Sequence, residues 1–124
     1  MCRNVCDTGY GIVMKLSNCS GTLYRQMIAN NLATGIEQSG TSQEVVIYNC
    51  LIVSNDGTAL ISGGNVTVRN SIIWGNNAGT IYNSSNLLKV FYSCIEDGYS
   101  GITGTPILTY NYLHNTSSNP LFVN

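Results

Sequence analysis

The acidic residues are the first place to look for chemistry, because metal sites and hydrolytic sites are commonly built from carboxylates. Glu96 and Asp97 are the only adjacent acid pair in the chain. A calcium site needs several oxygen ligands at one place, and glycoside hydrolysis needs two carboxylates that face one bond. Only Asp56, with Arg69 as a nearby base, could extend the pair. The sequence therefore predicts a solvated turn at Glu96 and Asp97, with no metal site and no catalytic centre.

The cysteines and the single histidine are the other candidate ligands or nucleophiles. Cys2 and Cys6 have a spacing close to that of zinc ligands, but no second Cys or His pair accompanies them. His114 has no serine and aspartate at spacings that would indicate a catalytic triad. We expect a surface histidine, no metal and no cofactor.

Exposed aromatic rings could contact sugars by stacking. The candidates for glycan contact are Trp74, Tyr82 and Tyr99. Core packing is the competing interpretation for Trp74, because the repeat described below aligns it with apolar residues, namely Ala29, Val53 and Ile95.

Charge and hydropathy exclude several classes of protein. Charged residues make up 9% of the 124 residues and apolar residues 44%, whereas a typical domain has ~25% charged residues. This apolar content argues against disorder, and five Lys and Arg residues provide no basic patch for duplex nucleic acid. No apolar run approaches the ~18 residues of a membrane span.

An internal repeat defines the elements that must position these residues. Blocks of small residues end on an aliphatic residue at Ile36, Leu60, Ile81 and Ile102. Ile12 lies one further interval before Ile36, since the distance in sequence from Ile12 to Ile36 equals that from Ile36 to Leu60. The period of this ladder is about 21 to 24 residues, which is too short for a pair of helices, and strand-like alternation precedes each block. The prediction is an all-β chain, a parallel β-helix of four to five coils of about 21–24 residues each.

The same spacing predicts which side chains stack in successive coils. Asn55 with Asn76, and Asn49 with Asn70, should form hydrogen-bonded ladders at turns, and Tyr24 should pack on Tyr48. Two further columns are expected. The residues that open the blocks should form one of them, namely Asn31, Asn55, Asn76 and Asp97. Small inward-facing residues should form the other, namely Cys50, Ser71 and Cys94. Cys50 and Cys94 would lie two coils apart, beyond disulfide reach.

Three segments in order carry a family resemblance. They read Asn-Ser-Ile-Ile-Trp-Gly-Asn at 70–76, Tyr-Ser-Cys-Ile-Glu-Asp-Gly at 92–98 and Asn-Pro-Leu-Phe-Val-Asn at 119–124. This combination resembles the last coils of right-handed β-helix repeats in secreted bacterial surface proteins of the pectate-lyase-like superfamily. The resemblance implies a right-handed coil and a location outside the cell or on its surface.

Two departures from that family affect the expected organisation. Its members are longer and begin with a signal peptide, whereas residues 1–6 contain no apolar segment of that kind and the sequence stops at Asn124. We therefore expect residues 1–124 to be one β-helix segment of a longer protein, with coils over about 11–103 and a tail over 104–124. Its end coils would stack on missing coils or self-associate.

The predicted function is that of a structural or interaction segment of a secreted or cell-surface protein that contacts polysaccharide or host glycans, with no catalytic centre of its own. The alternative is the last coils of a polysaccharide lyase or glycoside hydrolase whose active site lies in missing N-terminal coils. A trimeric phage-type spike segment is a third, weaker hypothesis.

Overall fold

The structure is a computed structural model that describes residues 12–122, without the side chains of Thr41 and Ser42. Strand makes up 52% of it, and the helical elements in this range are two 3-10 turns, Gly98–Gly101 and Thr109–Asn111. The all-β prediction is therefore confirmed. The strands are β1 Ile12–Ser17, β2 Gly21–Tyr24, β3 Met27–Ala29, β4 Thr34–Tyr48, β5 Leu51–Val53, β6 Leu60–Arg69, β7 Ile72–Trp74, β8 Ile81–Asn83, β9 Leu88–Phe91, β10 Cys94–Ile95, β11 Ile102–Gly104 and β12 Tyr112–Leu113.

All the strands pair in parallel with the strand one coil away, so the chain is a β-solenoid of about 5 turns, as the repeat predicts. One sheet contains β3, β5, β7 and β10. The other sheet is built around the long strands β4 and β6, which pair with each other along both halves. In the first halves, β1 pairs with β4 and β8 pairs with β6, and β11 follows β8. In the second halves, β2 pairs with β4 and β9 pairs with β6. A register shift between Gly40 and Val45 separates the two halves of β4.

The core consists of aliphatic columns that run along the solenoid. Ile36, Leu60 and Ile81 lie opposite one another in successive coils and are at most 1% exposed, and Ile102 follows next to Ile81. Side chains alternate between the two faces of a strand, so every second residue of β6 points inward. The aliphatic ladder predicted from the repeat is confirmed at these four positions.

The first coil departs from the predicted register. Met14, not Ile12, lies opposite Ile36, and Ile12 lies opposite Thr34. The step between β1 and β4 is therefore two residues shorter than the repeat predicts. A shift of two residues preserves the inward and outward alternation of a strand, so the hydrophobic pattern does not reveal it.

An asparagine ladder closes one corner of the coil. Asn31 Nδ2 donates to Asn55 Oδ1 at 2.8 Å, and Asn55 Nδ2 donates to Asn76 Oδ1 at 2.9 Å. Asn55 and Asn76 are 0% and 7% exposed. The predicted pairing of these two residues is confirmed, and its buried amides are satisfied along the stack.

A second corner places one residue per coil in the left-handed region. Asn49 and Asn70 have φ of 54° and 48°, and each amide N–H donates to a carbonyl of the next coil. Asparagine tolerates this conformation, as the sequence suggested. However, these two side chains are exposed and form no hydrogen bond with each other in the described part of the chain.

In the last coil, three predicted alignments are wrong by one residue. Ser93, not Cys94, continues the column below Ser71, since the Ser71 amide donates to Ser93 Oγ at 3.1 Å, and Cys94 lies opposite Ile72. Ile95 lies opposite Ile73 and leaves the Trp74 column. The step from β7 to β10 is one residue longer than the asparagine spacing had indicated and one residue shorter than the alignment of Cys94 with Ser71 required.

The same shift moves Asp97 out of the asparagine column. Continuing from Ile95 opposite Ile73, Asp97 falls level with Gly75, and both have positive φ, 60° and 64°. Beyond Gly104 the chain still pairs with the preceding coil, since β12 lies beside β9 and Thr116 bridges to Cys94.

Candidate functional site

The three rings that the sequence singled out for glycan contact lie apart. Trp74 ends β7 and is half-buried on the outer side of that strand, because Ile73 beside it points into the core at 0% exposure. Tyr82 belongs to the other sheet and is 47% exposed. Tyr99 lies in the first 3-10 turn, where its hydroxyl donates to the Ile107 carbonyl at 2.5 Å. Core packing is thus wrong for Trp74, and the three rings form no shared platform.

The acidic residues of the described region form no metal-binding cluster. Glu96 Oε2 accepts a hydrogen bond from the Gly75 amide at 2.7 Å, and Asp56 Oδ1 accepts one from Asn77 Nδ2 at 2.7 Å. Within residues 12–122, no three His, Cys, Asp or Glu side chains are close enough to hold a metal ion. Cys2 and Cys6, the pair with near-zinc spacing, lie outside the described residues.

The two free thiols of the described region have different environments. Cys50 is buried as predicted, at 4% exposure. Cys94 is only half-buried, because it faces outward, and its Sγ donates to the Ser118 carbonyl at 3.2 Å. Desolvation raises the pKa of the Cys94 thiol, so this sulfur is not an activated nucleophile.

A different group of side chains comes together on the outer side of the sheet formed by β2, the second halves of β4 and β6, β9 and β12. Each coil contributes two residues to this group: the last residue of its strand and the next residue, which lies in a left-handed turn. Stacked over successive coils, these residues form two adjacent columns. We call this surface the aromatic face. The strand column consists of Tyr24, Tyr48, Arg69, Phe91 and Leu113. The turn column consists of Arg25, Asn49, Asn70, Tyr92 and His114.

The rings of the aromatic face stack along the solenoid axis. Tyr24 and Tyr48 have ring centroids 5.7 Å apart with planes within 14° of parallel, as the sequence predicted. Tyr92 and His114 stack at 4.8 Å with planes within 10°. Tyr24 is 45% exposed and Tyr92 is 52% exposed, so the stacks form a ridge whose ring edges and hydroxyls are open to solvent. His114 is therefore an exposed residue, as expected, but one held by a ring partner.

Both arginines of the described region lie over these rings. The Arg25 guanidinium carbon is 4.9 Å from the centroid of Tyr24. That of Arg69 is 5.9 Å from Phe91 and 5.8 Å from Tyr92. A guanidinium over a ring is attracted by the ring quadrupole and held in place, so the face presents oriented hydrogen-bond donors beside apolar surface.

One acidic residue borders the aromatic face. Glu44 accepts a hydrogen bond from Thr67 Oγ1 at 2.6 Å and lies 3.4 Å from Lys89 Nζ. The hydrogen bond from Thr67 lowers the pKa of Glu44 below its usual value, and the nearby Lys89 lowers it further. Desolvation of the carboxyl opposes this shift but does not cancel it. Glu44 and Lys89 therefore offset each other in charge.

A groove of about 450 Å³ runs beside the aromatic face in the last coils. Its walls include Asn70, Tyr92, Cys94, His114 and Thr116. The groove follows the stacking direction, so a linear molecule lying along the solenoid axis could contact the ridge and the groove together.

The backbone of the turn column is set by the coil, because every coil places one residue of this corner in the left-handed region. Arg25 and Tyr92 hold φ of 54° and 51° there, in a region that asparagine adopts more easily than arginine or tyrosine. Sequence reasoning paired Asn49 with Asn70 but missed the other members of this column, because their residue types differ from coil to coil. Only the spacing of about 21–24 residues between its members, from Arg25 through His114, could have indicated it.

No known protein family matches this chain, and neither a curated protein nor a solved structure is similar to it at a significant level. The resemblance to β-helix surface proteins therefore has no support beyond the solenoid itself. No helix among the described residues is both long and apolar enough to cross a membrane.

Proposed function

We propose that this chain is a non-catalytic β-solenoid segment that binds polysaccharide through its aromatic face. The observation that carries the proposal is the ridge of exposed rings and guanidinium groups on one side of five successive coils, from Tyr24 to His114. Sugars offer apolar C–H surface beside many hydroxyls. The ring edges of the aromatic face can pack against the C–H surface of a sugar, and the tyrosine hydroxyls and arginine N–H groups beside them can hydrogen-bond to its hydroxyls.

The direction of the ridge supports a linear ligand. Successive coils are about 4.8 Å apart, a spacing close to the length of one sugar unit in an extended chain. Each sugar of a polymer lying along the axis would meet one coil, so that weak contacts repeat. Repeated contacts on one polymer raise the overall affinity without any single strong site.

The absence of a catalytic role rests on the dispersal of the acidic side chains. Glu96 and Asp56 accept hydrogen bonds on separate turns, and Glu44 is paired with Lys89. Glycoside hydrolysis commonly uses two carboxylates across one bond, and none of these three has a carboxylate partner among residues 12–122. A polysaccharide ligand also fits a location outside the cell or on its surface, which we propose on that ground.

Binding measurements on single-ring variants test the proposal. Affinity electrophoresis of the full chain in gels containing different polysaccharides should show retardation by at least one of them. Tyr92→Ala or Tyr24→Ala should weaken that retardation about twofold to tenfold, the value of one aromatic contact. Tyr110→Ala is the matched control, since Tyr110 is 66% exposed but lies outside the aromatic face.

Other outcomes assign the contact elsewhere or refute it. If Trp74→Ala or Tyr82→Ala weakens retardation while Tyr92→Ala does not, the glycan binds at the rings predicted from the sequence instead. If no polysaccharide retards the chain, the proposal is wrong. Release of reducing ends or unsaturated sugars above a heat-treated control would refute the non-catalytic role.

A further inference from the structure

Charge is distributed unevenly over the solenoid. The aromatic face and its border contain three of the four cations of residues 12–122 and only one of their five acids. These are Arg25, Arg69, Lys89 and Glu44. The rest of the described surface has one cation and four acids: Lys15, Glu37, Asp56, Glu96 and Asp97. The composition had suggested that no basic patch could form, but the fold gathers most of the few cations on one side.

The two arginines differ from the two lysines in their partners. Lys15 lies 3.1 Å from Glu37, and Lys89 lies beside Glu44. Neither Arg25 nor Arg69 forms a salt bridge with another residue in the 12–122 region. Both arginine side chains are exposed, and no acid of residues 12–122 compensates their charges.

We propose that the ligand of the aromatic face is an anionic polysaccharide and that Arg25 and Arg69 bind its carboxylate or sulfate groups. This inference rests on the proposed function and names the class of glycan. Guanidinium groups bind both anions through two parallel hydrogen bonds. The rings beneath them restrict their motion, so less side-chain entropy is lost on binding.

The spacing of the two arginines sets the length of the ligand. The Arg25 amide donates to the carbonyl of Tyr48 in the next coil, and Tyr48 lies opposite Arg69 in the coil after that. Two coil spacings separate the backbones of the two arginines along the axis by roughly 9.6 Å. That distance is comparable to a disaccharide, so a polymer with an anionic group on every sugar or every second sugar could reach both.

A polysaccharide fits these observations better than a nucleic acid. Single-stranded nucleic acids bind by stacking their bases on free ring faces. Here the Tyr24 ring already contacts Arg25 and Tyr48, and the Tyr92 ring contacts His114 and Arg69. Two uncompensated cations also fall short of the six to ten phosphate contacts, roughly, of a typical nucleic-acid site.

Three polymers with the same backbone isolate the role of charge. Hydroxyethylcellulose is neutral, carboxymethylcellulose has carboxylates and cellulose sulfate has sulfate esters. The full chain should bind one or both anionic polymers at least tenfold more tightly than the neutral one, and which of the two it prefers identifies the anion. Affinity should fall as NaCl is raised, because salt screens exposed charges.

Arginine variants test the assigned residues. Arg25→Gln and Arg69→Gln should each weaken binding to the anionic polymer about twofold to fivefold, as expected for one exposed ion pair. Lys15→Gln removes the same charge outside the aromatic face and should change affinity less than the arginine variants do. Arg69→Lys should restore part of the loss. Urea unfolding of each variant verifies that the fold is retained.

The outcomes separate this inference from the proposed function. Equal binding to hydroxyethylcellulose, or an equal effect of Lys15→Gln, would overturn the anionic assignment while leaving polysaccharide binding intact. Tighter binding to a single-stranded DNA oligonucleotide than to either anionic polymer would also overturn it. If no polysaccharide binds at all, the proposed function itself fails.

Discussion

Removal of the Asn55 side chain is the sharpest test of how the solenoid is held together. Its Oδ1 accepts from the amide and the Nδ2 of Asn31 at 3.2 and 2.8 Å. Its Nδ2 donates to Asn76 Oδ1 at 2.9 Å and to the Ile28 carbonyl at 3.1 Å. The residue is 0% exposed, so water cannot readily replace these partners.

The expected loss of stability follows from those contacts. Asn55→Ala removes four hydrogen bonds, each with a net contribution of about 1 kcal/mol. We therefore expect the free energy of unfolding to fall by about 4 kcal/mol. Since small domains have only about 5–15 kcal/mol in total, the variant should be barely folded.

Urea unfolding followed by far-UV circular dichroism measures this change. Asn77→Ala is the matched control, because Asn77 is exposed and its side chain makes one hydrogen bond, to Asp56. The control should stay within about 0.5 kcal/mol of the wild type. A loss below about 1 kcal/mol for Asn55→Ala, or an equal loss for both variants, would refute the reasoning.

Asn55→Asp extends the test to the direction of the hydrogen bonds. An ionised carboxylate would direct an acceptor oxygen at the Ile28 carbonyl and at Asn76 Oδ1, both of which are acceptors. Only the protonated carboxyl could donate there, so its pKa in the folded state should rise above the unfolded value of about 3.9. Relative to wild type, this variant should be most stable below about pH 4 and lose stability as the pH rises through the folded pKa. A pH-independent difference would contradict the assigned amide orientation.

Three further predictions address the core, the thiols and the Glu44 carboxyl. Ile81→Asp places an unpaired charge in a column that is 1% exposed and should lower stability by more than about 4 kcal/mol, or abolish the β spectrum; a loss below about 0.5 kcal/mol would refute the register. Peptide mapping after alkylation should find Cys94 modified in the folded chain only at a pH above that for a free thiol, because burial raises its pKa, and Cys50 modified only after unfolding. Thr67→Val should raise the pKa of Glu44 in an NMR titration, since the hydroxyl lowers it most. Glu44 stabilises the fold above its unfolded pKa and loses this effect on acidification, so the variant should be less sensitive to acid.

The sequence was informative at most positions where identical chemistry recurs at the coil period, although Asn49 and Asn70 share a column without the predicted hydrogen bond between their side chains. Asn55 with Asn76 and Tyr24 with Tyr48 were paired from spacing alone, and both pairs occur in the structure. A parallel coil places residues one period apart next to each other, so a repeated residue type marks a column without knowledge of the rest of the fold. Local physics and the period together are enough for such columns.

The errors arose where the coil changes length. The step from β7 to β10 is one residue longer than the step from β5 to β7, which moves Asp97 out of the asparagine column. It is also one residue shorter than the alignment of Cys94 with Ser71 requires, so Ser93 takes the place of Cys94 in the small-residue column. A one-residue change reverses the face of a strand, so it turns an expected core thiol outward. Both assignments put a small residue in the column, and only the hydrogen bonds between coils distinguish them.

The sequence by itself thus determined the parallel coil and its aliphatic and asparagine columns, because stacking repeats the same residue types at a nearly constant period. Only the tertiary structure decided the aromatic face. Arg25, Tyr48, Arg69 and Tyr92 differ in type and occupy two adjacent columns, so no repeat in the sequence connects them. They meet because each coil turns through the same left-handed corner, which brings residues from four coils to one side of the molecule.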